Sequence, residues 1–562
     1  MAPSFHALFC SSRANFPLAP AHKHPPKAGI SSPHPLHYRL SGDNKTVQAI
    51  SSQPAFLAAL AIVRRLRSSG HQAYLAGGCV RDLLLCRTPK DYDVATSAEP
   101  QTVLDLFPRT FAVGAHFGVV LVSMPIEASM PIDVSMPIGG ETHSQSTLTE
   151  VATFRSDGAY SDGRRPDQVR YTQSAEEDVQ RRDFTINGLL LNPEILASDL
   201  STTSDSAKAG APSLASETWE ITDLRPAVID HVQGLTDLDS GLIRAIGNPT
   251  LRFEEDHLRM LRAIRFAARF QFEIDRATFR PIQAQAASIT QISNERIRDE
   301  LTRMLTEGHA RRAFELLDTS GLLPHILPEA AKLQGVQQPP EYHPEGDVWT
   351  HTLMLLDQLR AELISEPGVS INPTLAWGAL LHDIGKPATF TPPSGPGDRI
   401  RFNGHVDVGE AIAAQILRRF RFSNDDTTQI LSLVHNHMRF GDVHHMKPAT
   451  LKRFFRLHNF PEHLALHRMD ATASHGALDN YHYARKEYES MSEEEVRPQP
   501  LITGRELIAL GYQPGPTFKA ILHAVEEAQL EGRLKTPEEA IAFLETHYQL
   551  DPSTPTDPYN IP

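Results

Sequence analysis

The stretch that most constrains this chain is Leu75-Ala-Gly-Gly-Cys-Val-Arg-Asp82, followed at once by Asp91-Tyr-Asp-Val-Ala-Thr96. Ahead of it, Phe56, Leu57, Leu60, Val63 and Leu66 recur at helical spacing. Gly70 stops that helix, and Ala73–Ala76 reads as a short buried strand. Val80 to Leu85 is apolar enough to begin a second helix, so Gly77-Gly78 falls between strand and helix. A glycine pair there lets backbone approach a ligand closely. Backbone N–H groups at a helix start suit a phosphate, and Arg81 adds a positive fork. Asp91 and Asp93 are two apart, so an extended strand points both to one face. Such a pair repels itself unless a cation lies between, and Mg²⁺ is the natural guest, held by a few carboxylates and substrate phosphates. A phosphate-binding turn beside a metal-binding acid pair points to phosphoryl or nucleotidyl transfer.

At 562 residues the chain predicts three or more units. Hydrophobic content of 40% and charged content of 22% fit soluble globular structure. No apolar run has the length to cross a bilayer, which predicts a cytoplasmic protein with no membrane partner. Cys10, Cys79 and Cys86 make neither a disulfide framework nor a paired metal-ligand spacing. The net charge of -14 at first argues against a nucleic-acid partner, but local charge distribution sets RNA binding.

Residues 1–46 are rich in Pro, His, Ser and Ala, with no acid before Asp43, and read as a disordered or targeting-like extension. Residues 47–191 form the head. Ser-Met-Pro-Ile recurs at Ser123, Ser129 and Ser135, and its prolines suit an exposed loop, so 123–147 reads as an insertion between strands. The next strand, Leu148–Phe154, carries Glu150. Arg155 to Val169 reads as a mobile loop. In Asp178-Val-Gln-Arg-Arg-Asp-Phe-Thr-Ile-Asn-Gly-Leu189, Arg182, Asp183 and Asn187 have spacings compatible with one helix face. Residues 192–225 read as a flexible insertion and a strand. Residues 226–305 hold Asp230-His-Val-Gln-Gly-Leu-Thr-Asp-Leu238 and Phe253-Glu-Glu-Asp-His-Leu-Arg-Met-Leu-Arg-Ala-Ile-Arg-Phe266. Asp256 and Arg259 are three apart, hence neighbours on a helix face; Asp accepts and Arg donates, so the pair can mimic a base edge. Read in isolation, the same pair is an ordinary helical ion pair. Ser293 reads as the cap of a further helix.

From Leu57 to Leu305 these segments resemble the motifs of the nucleotidyltransferase superfamily, in the class shared by bacterial and eukaryotic CCA-adding enzymes and bacterial poly(A) polymerases. The resemblance implies Mg²⁺ on Asp91 and Asp93, with Glu150 near the metal site. It implies nucleotide contacts from Gly77, Gly78 and Arg81, and ribose contacts from Arg182, Asp183 and Asn187. Asp256 and Arg259 would pair with the Watson–Crick edge of C or A, and Arg262 would reach the triphosphate. The Arg155–Val169 loop is similar to the one that accompanies A addition in this family.

A second constellation follows: His351, His382-Asp383, His405, His437 and Asp470, with His435 an alternative to His437. Imidazole and carboxylate are borderline N and O donors for a transition metal. The set resembles the HD superfamily of metal-dependent phosphohydrolases. That implies a first ion on His351, His382, Asp383 and Asp470, and a second aided by His405 and His437, with Ni²⁺ or Mn²⁺ among the candidates.

The expected fold class is α+β: a head with a small mixed sheet, then all-helical units. These are a neck to 305, a body connection at 306–345, an HD domain at 346–490, a helical tail at 491–549 with two helices over Leu501–Leu544, and a disordered end at 550–562. The expected function is untemplated addition of C and A to tRNA 3′ ends from CTP and ATP, with phosphohydrolase activity in the HD domain. Two alternatives stay open. One is A-only or poly(A) addition; the other is a phosphohydrolase whose head only binds nucleotide.

Overall fold

The computed structural model describes residues 53–112, 118–125, 146–157, 169–194, 224–365 and 371–548. The N-terminal extension, most of the Ser-Met-Pro-Ile insertion, residues 158–168, the Ser198–Thr218 segment and the chain end lie outside the described residues.

The head is a seven-stranded mixed sheet. Its strands are β1 (Ala73–Ala76), β2 (Val94–Thr96), β3 (Thr110–Phe111), β4 (Val119–Pro125) and β5 (Ser146–Thr153). A separate two-stranded ribbon, β6 (Arg155–Asp157) with β7 (Val169–Tyr171), precedes β8 (Leu189–Leu191) and β9 (Val228–Asp230). The sheet order is β3-β4-β5-β2-β1-β8-β9. Only β2 and β5 are parallel. The central strands read as short apolar runs because both their faces are covered; every residue of β2 and β8 is buried. Helix α1 (Pro54–Ser68) lays Phe56, Leu60, Val63 and Leu66 against the sheet. Each such burial is worth roughly 1.5–3 kcal/mol.

Three sequence expectations shift here. Strand β4 runs on to Pro125, which pairs with Ser146, so the first Ser-Met-Pro copy is strand rather than loop. Proline is tolerated because it ends the ladder. The ends of the expected mobile loop pair as β6 and β7. The Phe253–Phe266 segment is not one helix: a helix over Pro249–Glu255 ends at Asp256, whose backbone is extended (φ -150°, ψ 103°). The Asp256 carboxylate then accepts from the Leu258 N–H, competing with helix continuation.

Helix α2 (Gly78–Leu84) follows β1 directly. Beyond the sheet the structure is helical apart from a small parallel pair, Leu242–Ile243 with Glu273–Ile274. Helix α3 (Leu258–Phe270) is buried along Leu258, Leu261, Ile264 and Ala268. Helix α4 (Asn294–Thr306) has Ser293 at its N-cap, but the side chain makes no cap hydrogen bond. Helices α5 (Val348–Ser365), α6 (Pro373–Leu381), α7 (His405–Arg419), α8 (Asn424–Asn436) and α9 (Phe460–Ala473) form the next unit. Helix α6 is buried from Thr374 to Leu381, and Asn372 caps it by accepting from the Thr374 N–H. One apolar core runs from Phe56 to Ala473. A second, from Phe440 to Val496, and a third, from Ile502 to Leu544, hold the C-terminal helices together. From Leu501 to Tyr548 there are three helices, Gly504–Ala509, Pro516–Leu530 and Pro537–His547, rather than the two expected there, and Glu493–Val496 forms another short one before them. The extra one of the three, Gly504–Ala509, is short and starts at a capping box formed by Thr503 and Glu506.

Candidate functional sites

Asp91 and Asp93 lie on the extended lead into β2 rather than within it. The Asp93 carbonyl accepts from the Ala76 N–H at 3.0 Å, which continues the β1–β2 ladder. Tyr92 between them is buried and packs edge-on against Phe56, so the two acids share the opposite side. The parallel register Val94↔Val151 brings Glu150 beside Asp93. Burial, then the charge of Glu150 and that of Asp91, push Asp93 up to about 6, against the pull of Arg182. Burial and Asp91 raise Glu150 in the same way. Three neighbouring carboxylates, with Asp93 and Glu150 disfavoured as bare anions, are a donor set suited to a hard divalent cation, and they fit Mg²⁺.

Gly77 has φ +74°, and a Cβ there would lie 2.9 Å from Arg182 Nη1. The turn therefore needs glycine both for its backbone and for the guanidinium above it. Arg182 is steered by Asp178, a residue the sequence reading passed over: Asp178 Oδ2 accepts from Arg182 at 3.0 Å and Oδ1 from Arg181 at 2.6 Å. Burial alone would raise Asp178, but Arg182 and Arg181 outweigh it and hold it low.

Arg81 Nη2 would lie 3.5 Å from a Cβ on Gly78, and its other contacts run into the head. It is 4% exposed, donates to Asn187 Oδ1 at 2.5 Å and to Asp82 Oδ1 at 2.7 Å, and packs over the Phe266 and Phe270 rings. These contacts fix its guanidinium in the wall of the site beside Gly78. Asn187 in turn donates to Asp183 Oδ1 at 3.0 Å, and Asp183 Oδ2 pairs with Arg262 at 2.6 Å. Burial works against ionised Asp183, yet Arg262 and Asn187 pull it down to about 2. Arg262–Asp183–Asn187–Arg81 is thus a continuous polar chain joining α3 to the head.

The structure does not pair Asp256 with Arg259, because the helix breaks between them. Asp256 Oδ2 accepts from Arg296 of α4 at 2.7 Å, and Arg259 pairs with Glu255 at 2.5 Å. Arg296 and Glu255 were missed; Glu255 is adjacent to Asp256 in the motif, whereas nothing local marks Arg296.

The second constellation closes at the C-terminal end of α6. His351 sits on the first turns of α5, His382-Asp383 just beyond α6, His405 at the start of α7, His437 just past α8 and Asp470 on α9. His351 Nε2 is 3.0 Å from Asp470 Oδ1 and 3.3 Å from His382 Nε2, which is 3.1 Å from Asp383 Oδ2. Asp383 Oδ1 is 3.8 Å from both His405 Nε2 and His437 Nε2. Those two nitrogens are buried and lack a hydrogen-bond partner, as unfilled metal ligands would. His435 instead pairs with Glu410 on the surface, which leaves His437 as the inward histidine. Burial, then His382, lowers His437 to about 4, so it is a neutral donor. Burial opposes charge on His351, but Asp470 and Glu345 raise it to about 9. Lys386 Nζ lies 2.7 Å from Asp383 Oδ2 and donates to Gln338 at 2.7 Å. Lys386 was passed over although it ends His382-Asp-Ile-Gly-Lys386. Glu345, whose carboxylate touches His351 at 2.7 Å, was passed over too.

No helix among the described residues is long and apolar enough to cross a membrane.

Three family models match the chain in order. Residues 73–244 match the Poly A polymerase head domain, 271–333 the "Probable RNA and SrmB-binding site of polymerase A", and 402–544 tRNA nucleotidyltransferase domain 2. The last match spans the boundary expected at 490. A CCA-adding enzyme of Lactobacillus gasseri is 34% identical over 305 residues, 54% of this chain and 64% of that protein. The chain thus spans less than two thirds of that relative's length. A CCA-adding enzyme of Streptococcus thermophilus is 28% identical over 88% of this chain and 98% of its own length. In fold the chain is similar to the crystal structure of the Bacillus stearothermophilus CCA-adding enzyme in complex with CTP, with TM-score 0.58 and 24% identity over 88% of this chain and 98% of that one. Head, RNA-binding segment and C-terminal helices, matched in this order along one chain, support the class II CCA-adding family.

Proposed function

We propose that this protein adds C and A nucleotides, without a template, to tRNA 3′ ends, taking them from CTP and ATP in the cytoplasm. The observation that carries the reading is the cluster of Asp91, Asp93 and Glu150 beside the Gly77 turn, with Arg182 held over that turn. The 3′-hydroxyl oxygen attacks the α-phosphorus, the bond to the β-phosphate oxygen breaks, and pyrophosphate leaves. Asp91 and Asp93 would hold Mg²⁺, which lowers the pKa of the attacking hydroxyl and neutralises charge on the phosphates. Gly77 and Gly78 leave room for the triphosphate, and Arg182 supplies positive charge there. Asp183 and Asn187 fix the sugar side of the pocket, and Arg262, paired with Asp183, reaches toward the triphosphate. Asp256 and Arg259 select the base, each pre-set by its own partner, Arg296 or Glu255. The relatives at 34% and 28% identity, both CCA-adding enzymes, favour this reading over poly(A) addition. The test is purified protein with tRNA lacking all or part of CCA, and labelled CTP or ATP. Growth by two C and one A supports the proposal; a long A tail, or A alone on a substrate lacking all three, overturns it.

A second activity is favoured by the buried histidine–aspartate cluster. His351, His382, Asp383 and Asp470 would hold one transition-metal ion, and His405 and His437 with Asp383 a second. Bound metal would supply a water of lowered pKa for attack on a phosphoester. Small phosphomonoesters and 2′,3′-cyclic phosphates are the substrates proposed, since damaged tRNA ends carry them. Hydrolysis of a cyclic nucleotide in Ni²⁺, Mn²⁺ and Mg²⁺ tests it; no hydrolysis in any of the three overturns it.

A further inference from the structure

All four histidines of the buried cluster turn Nε2 inward, and each is held there through Nδ1. His382 Nδ1 lies 2.9 Å from the Ala379 carbonyl, His405 Nδ1 2.9 Å from that of Phe402, and His437 Nδ1 2.7 Å from that of Val434. In each case the acceptor is the carbonyl three residues earlier. His351 differs: its Nδ1 lies 2.7 Å from Glu345 Oε1. Carbonyls and carboxylates only accept, so every Nδ1 carries a proton, and Nε2 is in each case the nitrogen turned toward the cluster. Three histidines are thus oriented by neutral dipoles and one by a full negative charge.

Glu345 is built for this place. Its side chain is 3% exposed, and the same Oε1 also receives His343 Nδ1 at 2.8 Å. The loop that carries it is pinned on both sides. Val348 N–H donates to Val336 O at 3.0 Å, and Asp347 Oδ2 accepts from Gly335 N–H at 2.6 Å. Asp347 Oδ1 also accepts from Thr350 N–H at 2.9 Å, capping the start of α5. A surface carboxylate needs no such scaffold. A carboxylate on the far nitrogen of a metal-bound histidine fixes its tautomer and ring plane and raises its basicity.

We propose that Glu345 is a positioning residue for the buried metal cluster: it locks His351 as the Nδ1–H tautomer and makes His351 its most electron-rich nitrogen ligand. This rests on the reading of that cluster as a metal site. Glu345→Gln keeps the shape and an accepting oxygen but removes the charge. Glu345→Leu removes the acceptor as well. His343→Ala removes the other donor to Oε1 and leaves the His351 contact in place.

The experiment titrates the metal-free full chain with Co²⁺ and follows its visible absorption. His382→Ala identifies the portion that belongs to this cluster rather than to the head. Affinity at the cluster is expected to fall about 10-fold in Glu345→Gln and about 100-fold in Glu345→Leu, the usual range for such outer partners. His343→Ala should stay near the parent. The Co²⁺ bands should shift in Glu345→Leu, as one nitrogen ligand loses its orientation, while melting of the metal-free protein stays close to the parent in Glu345→Gln. Unchanged affinity and bands in both Glu345 variants overturn the positioning role while the metal site stands. A parent with no Co²⁺ binding sensitive to His382→Ala overturns the metal site and the role together.

Discussion

The head and the helical unit each gather carboxylates around a would-be cation, but by opposite means. In the head, Asp91, Asp93 and Glu150 are oxygen donors on neighbouring sheet segments; Asp91 is exposed, Glu150 is covered only in part, and Asp93 is the most covered. In the helical unit, Asp383 and four histidines are buried or nearly so, and five helices converge to bring them together. An open all-oxygen site leaves room for a triphosphate and suits a hard ion that keeps some of its water. A closed imidazole-rich site suits a borderline transition metal and a small substrate. The polar support differs too. Around the head site, arginines set against aspartates hold the pocket, whereas backbone carbonyls and one glutamate orient the histidines.

The sharpest way to break the comparison is to disable one site and measure both. Asp93→Ala should lower nucleotide transfer by roughly a thousand-fold or more, since metal charge stabilisation is worth several kcal/mol. Cyclic-nucleotide hydrolysis by the same preparation should be unchanged. Transfer that survives in Asp93→Ala would remove the carboxylate cluster from the chemistry.

The converse variant, His382→Ala, should abolish transition-metal binding at the buried cluster and with it hydrolysis, while C and A addition remains within about two-fold, a difference of only about 0.4 kcal/mol. If transfer fell with hydrolysis in a protein that still melts cooperatively, the two sites would not be independent.

A smaller effect separates the sites by pH. Asp93 sits at about 6 in the metal-free fold against an ordinary 3.8, so between those values the folded state holds a proton that the unfolded chain has lost. Stability of the metal-free protein should therefore decline as pH rises from about 4 to about 6, through this group. Mg²⁺ binding, which must displace that proton, should weaken as pH falls below about 6. Asp93→Asn should flatten this component of the melting profile; an unchanged slope would assign it elsewhere.

The mildest variant is Gly77→Ala. Placing a Cβ at φ +74°, 2.9 Å from Arg182 Nη1, should cost about 1–3 kcal/mol of stability and weaken nucleotide binding more than turnover. Denaturant melts and a KM-against-kcat comparison check it. Equal stability would mean that the turn relaxes.

Much of the head was legible because its signals are local. Gly77-Gly78 between strand and helix, and the alternation Asp91-Tyr92-Asp93, follow from backbone periods of two and 3.6. The same local reasoning failed at Asp256 and Arg259. Three-residue spacing implied one helix face, but the Asp256 carboxylate takes the Leu258 N–H and ends the preceding helix. At Arg81 the spacing marked a positive fork beside the glycine turn but not what holds it. The ring pair Phe266 and Phe270, about 190 residues away in sequence, packs against the guanidinium.

The sequence by itself determined the α+β division, the order of the motifs and the residue types able to hold each cation, because composition and short-range spacing encode them. Only the tertiary structure decided which partner each charged group takes. Arg296 on Asp256, His437 rather than His435 inward, and Glu345 behind His351 all depend on long-range packing or on a loop's path. A buried charge must find a partner in space, and chain distance carries no information about which one it will be.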